Sequence, residues 1–255
     1  AVEVGAAQVH PADRRVHERG PHEVGRDERR VGEVGLVEAG ATGHHAHEAR
    51  LPQHALAEIR AVEPALHGDF VGGFLTESDS SGDIHKFTTG LARACARRGA
   101  DLRFGTEVED IAAIDGGVRI VAAGASEPFA GVVVSAGVKS RGIARALGDK
   151  VNIYPVKGYS ITVHLDDAAS QSAAPWVSLL DDRSKIVASR FGADRFRIAG
   201  TAEFNGANKD IRADRIQPLV EWCEKHFPGI STEHATPWAG LRPMTPSMLP
   251  RVGRG

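Results

Sequence analysis

The sequence predicts an α+β fold, and three observations carry that expectation. Helix and strand patterns alternate from about residue 57 to 150. Alternating strands then follow one another without intervening helices from 151 to about 240, which predicts an antiparallel sheet. Residues 1–56 share the composition of neither region.

That first segment contains seven of the twelve histidines and no Lys, Ser, Ile, Phe, Tyr, Trp, Asn or Met. Many charges and few bulky apolar residues leave too little surface to bury against chain entropy. It is expected to be disordered or loosely helical, to add nothing to the folded core, and to be an aberrant translation from a shifted frame or misassigned start. Lys86 is the first lysine.

In "SGDIHKFTTGLARACARRGA", Asp83 suits an N-cap and Gly99 a C-terminal stop. Ile84, Phe87, Leu91, Ala94 and Cys95 recur at helical spacing, so one face is expected to be buried. Asp83 and His85 are explained by the cap and first turn before any acid–base pairing. "DLRFGTEVEDIAAIDGGVRIVAA" reads as strand, turn and strand around "DGG". "FAGVVVSAG" reads as a short buried strand ending in a tight turn, and "KSRGIARALG" as a helix. "YPVKGYSITVHL", "PWVSLLDD", "SKIVASRF" and "RFRIAGTAEF" supply the antiparallel strands. "RADRIQPLVEWCEKHFPG" is an amphipathic helix, and "TPWAGLRPMTP" returns as strand and loop.

Composition excludes several functions. A formal net charge of −2 gives no reason to expect nucleic acid as a partner. No apolar run approaches the roughly 18 residues of a membrane helix. Cys95 and Cys223 have no ligand spacing and read as small buried side chains, compatible with a reducing compartment. "GHHAHEARLPQH" is rich in imidazole but lacks HxxxH or HExxH, so no metal is expected. "VGEVGLVEAGATG" has spaced glycines but not the GxGxxG of a dinucleotide loop.

Four segments, "SDSSGDIHKFTTGLA", "VVVSAG", "YPVKGYSITV" and "WAGLRPMTPSMLPRVG", occur in an order and spacing that resemble the D-amino-acid dehydrogenases. More widely they resemble the D-amino-acid oxidase and glycine oxidase superfamily of flavoenzymes. The resemblance covers residues 57–255. It implies a partial FAD-binding α/β domain at 57–150, a substrate domain at 151–240, and the start of a return to the FAD domain at 241–255. The implied reaction is oxidation of a D-amino acid to an imino acid, hydrolysed to the 2-oxo acid and ammonia.

The resemblance assigns Arg242 to the substrate carboxylate, a role that suits a planar guanidinium with two parallel donors. It places Tyr159 near the ligand cavity as a hydroxyl donor, and Lys157 is expected to point to the opposite face. Val108 falls on the strand bordering the adenine of FAD. Ser135, Ala136 and Gly137 fall on the turn approaching pyrophosphate and ribose, where small residues let the backbone come close. No residue is assigned a proton-transfer role.

The sequence departs from the superfamily in lacking the N-terminal GxGxxG and the C-terminal stretch against the flavin ring, and "TPSMLP" replaces TPDGxP. The expectation is a chain truncated at both ends with weak FAD binding. The alternatives are a glycine- or sarcosine-type amine oxidase, or a non-catalytic remnant. The resemblance further implies a cytoplasmic enzyme with a quinone-linked acceptor and peripheral contact with the inner face of a bacterial membrane.

Overall fold

The structure, a computed structural model, describes residues 33–38, 53–76 and 79–255. In chain order the elements are β1 (Glu33–Glu38), β2 (Gln53–Ala55), α1 (Leu56–Val62), β3 (Phe70–Thr76), α2 (Ile84–Arg97), β4 (Val108–Ile114), β5 (Gly117–Ala122) and β6 (Ala125–Phe129). A 3₁₀ turn (Gly137–Lys139) leads into α3 (Ser140–Ala146), followed by β7 (Tyr154–His164), α4 (Ala168–Ala173), β8 (Ser178–Asp181), β9 (Ile186–Phe191), β10 (Arg195–Glu203), α5 (Ala213–His226) and β11 (Thr236–Met244). They form an eight-stranded sheet in the order β11-β7-β10-β9-β8-β1-β3-β2 and a separate three-stranded sheet β4-β5-β6.

The large sheet is antiparallel except where β1 runs parallel to β8. One face is the core. Tyr159, Ile161 and Val163 of β7 and Phe196 and Ile198 of β10 are all buried, as are Leu219, Trp222 and Cys223 of α5 and Phe227 just after it. The two-residue alternation on the strands meets the helical spacing of α5 there. Burial pushes the Cys223 thiol up to about 12, as expected of an inert core cysteine; Cys95 is half-buried on α2. Asp181 is the polar anchor of this core. Burial would raise its carboxyl, but bonds from Ser184, Trp222 and two backbone amides outweigh that and hold it below the usual range.

Three expectations are corrected. β1 lies inside the segment expected to stay out of the core, yet it is flanked by β3 and β8, and Leu36 is buried. Composition averaged over 56 residues conceals six that fit a sheet slot in which both backbone edges are paired. At the end of the same segment, β2 also pairs with β3 and Leu56 packs against the core; the remainder of that expectation, for residues 1–32 and 39–52, lies outside the described residues.

The α2 helix forms with its Asp83 cap, whose carboxylate accepts from the His85 and Lys86 amides. Its apolar stripe, however, is not buried: Ile84, Phe87 and Leu91 are all exposed. Residues 131–136 form no strand, and Val133 is 80% exposed. Among the described residues no strand lies beside 131–136 to accept its backbone bonds, so apolar content alone does not make it one.

Candidate functional site

Strand alternation divides β7, β10 and β11 into a buried face and an open one. The registers pair Arg242 with Val156, Gly240 with Gly158, Trp238 with Ser160, and Arg197 with Thr162. Directly opposed residues share a face, so Trp238, Gly240, Arg242, Gly158, Ser160 and Arg197 all lie on the face away from α5.

Arg242 sits within β11 itself, not in a loop after it. It is exposed, and it makes no hydrogen bond or ion pair with another described residue. Its guanidinium leans over Gly158, where a Cβ would lie 3.5 Å from Nη2. On the facing strand, a Cβ at Gly240 would overlap the Trp238 indole. The paired glycines therefore make a flat floor with a cation over one side and an aromatic ring over the other. Opposed Cα atoms in such a pair are about 4.5–5.5 Å apart.

Arg197 donates to Ser160 Oγ at 3.0 Å and sets its guanidinium carbon 5.2 Å from the Trp238 ring centroid. Gly158, Ser160, Arg197 and Trp238 were not singled out from the sequence. The signal available was the two-residue period Trp238, Gly240, Arg242, together with its mirror in β7.

Tyr159 is placed differently from the expectation. It is 1% exposed on the core face, and its hydroxyl donates to Glu203 at 2.7 Å. A phenol has one proton to donate, and here it is committed inside the protein. Lys157 shares that face instead of opposing it, because residues two apart on a strand point the same way. Its ammonium, fully buried, lies 3.0 Å from Glu203 Oε2 and donates to Asn208 and the Asp210 carbonyl.

The residues expected near FAD lie off this sheet face. Ser135 and Gly137 are exposed, and Gly137 has φ +55° with nothing within 4 Å of where a Cβ would sit. That open, left-handed turn fits the close approach of a cofactor to backbone, and it packs against β11, the strand of Arg242. Ala136 gives its amide to Ser140 Oγ at 3.0 Å. Val108 is half-buried at a bulge of β4 and borders a cavity of about 30 Å³ that also includes Ile120 and Phe129. A cavity of that size holds about one water, so contact with an adenine there would be made by backbone, not by entry into the sheet. A cleft of about 530 Å³ between residues 151–152 and 245–252 contains the "TPSMLP" loop but not Arg242.

Comparison with known proteins gives the site its context. Residues 11–255 match the family described as FAD dependent oxidoreductase. The chain is 59% identical over 202 residues to D-amino acid dehydrogenase 3 of Mesorhizobium japonicum, covering 78% of this chain and 49% of that protein. It is 40% identical over 218 residues to the D-amino acid dehydrogenase of Paramagnetospirillum magneticum, covering 80% and 48%. The chain thus spans about half the length of the curated relatives it matches.

Glycine oxidase from Geobacillus kaustophilus superposes with a TM-score of 0.75 at 21% identity, covering 89% of this chain and 62% of that one. FAD-bound L-α-glycerophosphate oxidase from Mycoplasma pneumoniae gives 0.68 at 16%, covering 85% and 62%. At these identities the likeness is one of fold. The two-sheet fold shared with these oxidases and a match running over residues 11–255 lead to one assignment: the chain belongs to the FAD dependent oxidoreductase family.

Proposed function

We propose that the chain carries the substrate-binding half of an FAD-dependent D-amino-acid dehydrogenase, acting in the oxidative deamination of D-amino acids to 2-oxo acids and ammonia. The observation that carries this reading is Arg242, a guanidinium without a described partner, standing over the glycine floor of an open sheet face. The names of the relatives that match over about four-fifths of this chain support it.

In this reading Arg242 takes the substrate carboxylate through two parallel hydrogen bonds, which fix position and angle together. Gly158 and Gly240 let the Arg242 guanidinium and the Trp238 indole lie close over the strands, because a Cβ there would meet them, so the α-carbon would sit above that pair. Ser135, Ala136 and Gly137 would hold the cofactor's phosphate and ribose region through close backbone approach, and the backbone at Val108 would border its adenine. When bound, FAD supplies the acceptor for the hydride from the substrate α-carbon. The protein's contribution is placement, and Tyr159 enters only by holding Glu203, and with it Lys157, beneath the floor.

A glycine- or sarcosine-type oxidase is the second reading, supported by the fold likeness to glycine oxidase. A quinone-linked acceptor, a cytoplasmic location and peripheral contact with a bacterial inner membrane belong to the proposal. Among the described residues no helix is long and apolar enough to cross a membrane.

The test joins this chain to the remaining half of the Mesorhizobium relative and substitutes Arg242→Lys. Lysine keeps the charge but not the planar fork, and an ångström of misplacement costs roughly a hundredfold in rate. The expected result is a fall of about a hundredfold in kcat/KM for D-alanine with flavin content unchanged. A change in flavin content, or no change in either quantity, refutes the carboxylate role. Glycine or sarcosine turned over faster than D-alanine by the unsubstituted chimera favours the second reading.

A further inference from the structure

Trp238 is supported on one side by the strand while 53% of it stays exposed. Its ring lies across Gly240, and the Arg197 guanidinium stands beside it. Arg197 is fixed in turn by Ser160, which is only 1% exposed. The indole Nε1 has no hydrogen-bond partner among the described residues. The other two tryptophans are accounted for. Trp222 is buried and donates to Asp181 at 2.9 Å, while Trp176 lies under Arg190, which is tied to the carbonyls of Gln171 and Ala174. Trp238 alone of the three presents a supported aromatic surface beside a cation without a partner among the described residues.

That surface costs little to use. A ring already fixed loses little freedom when a ligand covers it, so the apolar area gained on contact is retained as affinity. The distance is also right. Arg242 and the indole stand over the two members of one opposed glycine pair, about 5 Å apart at Cα. A carboxylate seated on Arg242 leaves the substituents of the next carbon within reach of the ring.

We propose that Trp238 is the specificity-determining wall of the site, selecting D-amino acids with apolar or aromatic side chains over small ones. Arg197 and Ser160 act as positioning residues that hold the indole over Gly240. The proposal rests on the carboxylate role of Arg242, and the experiment separates the two.

The 255-residue chain is labelled with nitrogen-15 and titrated with D-phenylalanine and with D-alanine. Affinity is read from the backbone amide of Gly158, and Trp238→Phe identifies the indole resonance. D-Phenylalanine is expected to bind about tenfold more tightly than D-alanine, the gain from burying roughly 50 Å² of apolar surface. Trp238→Ala should bring the two affinities together by weakening D-phenylalanine alone, and Trp238→Phe should restore most of the difference. Arg242→Lys should weaken both ligands equally. Unchanged amide positions away from this face establish that each variant is folded.

Equal affinities in the parent chain, or equal weakening of both ligands by Trp238→Ala, overturn the role of Trp238 and leave that of Arg242 standing. If neither ligand shifts the Gly158 amide, or if Arg242→Lys leaves both affinities unchanged, the carboxylate role fails and this inference fails with it.

Discussion

Glu203 accepts from Tyr159 at 2.7 Å and pairs with Lys157 at 3.0 Å, while its other oxygen faces Arg212 and Arg215 at 3.3 and 3.5 Å. The Tyr159 bond first, and then the Lys157 bond, outweigh desolvation and hold the carboxyl down at about 2, against an ordinary 4.5. A depressed folded-state value means that the stabilisation is complete above about 4.5 and lost as pH falls towards 2. Thermal unfolding across that window should therefore show Tm falling more steeply for the parent chain than for Glu203→Gln. Asp181 is also held below its usual range and adds to both curves, so the difference between them is the informative quantity. Parallel curves would remove Glu203 from the account.

Arg242 was legible at this scale because Gly240 and Pro243 mark its surroundings in the sequence. The Tyr159–Glu203 bond was not, because its partners are 44 residues apart and meet through a bulge. Three steps on β10, from Gly200 to Glu203, oppose two on β7, with Thr201 at φ +68°. One extra residue reverses the alternation and turns Glu203 onto the face of Lys157.

Elements were legible where the local signal is complete in itself. The α2 helix has its cap, its spacing and a glycine stop at φ +91°, so it forms. Whether its stripe is buried depends on neighbours that periodicity does not contain, and the stripe is bare. Phe87→Ser and Leu91→Ser should therefore change the stability of this chain by no more than about 0.5 kcal/mol in urea, as for surface positions. A loss several times larger would mean that the face is covered in solution.

The β5–β6 hairpin was missed for a different reason. Ala122 pairs with Ala125 across a two-residue loop, with Ala123 at φ +50° and Gly124 at φ +72°. Both loop residues are left-handed, a turn that sequence normally announces with Asn-Gly or Asp-Gly. Alanine is strained there by about 1–2 kcal/mol, more than the entropy a glycine would lose, so Ala123→Gly should stabilise the chain by about 0.5–1 kcal/mol. A lower urea midpoint for Ala123→Gly would contradict the assigned turn.

At the scale of the whole molecule, the large sheet has its core covered, while among the described residues the region from 79 to 150 has apolar surface that nothing covers. The sheet has a closed core on one side and the Arg242 face on the other. By contrast, α2 keeps its apolar stripe exposed, and 131–136 has no neighbouring strand among the described residues. The same contrast governs cofactor binding. A pyrophosphate is held by convergent backbone amides at a helix N-terminus, usually after GxGxxG. The sequence has no GxGxxG, the Ala136 amide is committed to Ser140, and the helix after the 135–137 turn is only seven residues long. Among the described residues, one open glycine turn supplies too few donors to hold a dianionic group against water. The 255-residue chain should therefore lose FAD on gel filtration, while the chimera carrying the relative's other half keeps it. Flavin absorbance in the eluted peak measures this. One FAD per chain retained by the 255 residues alone would show that the cradle is already complete.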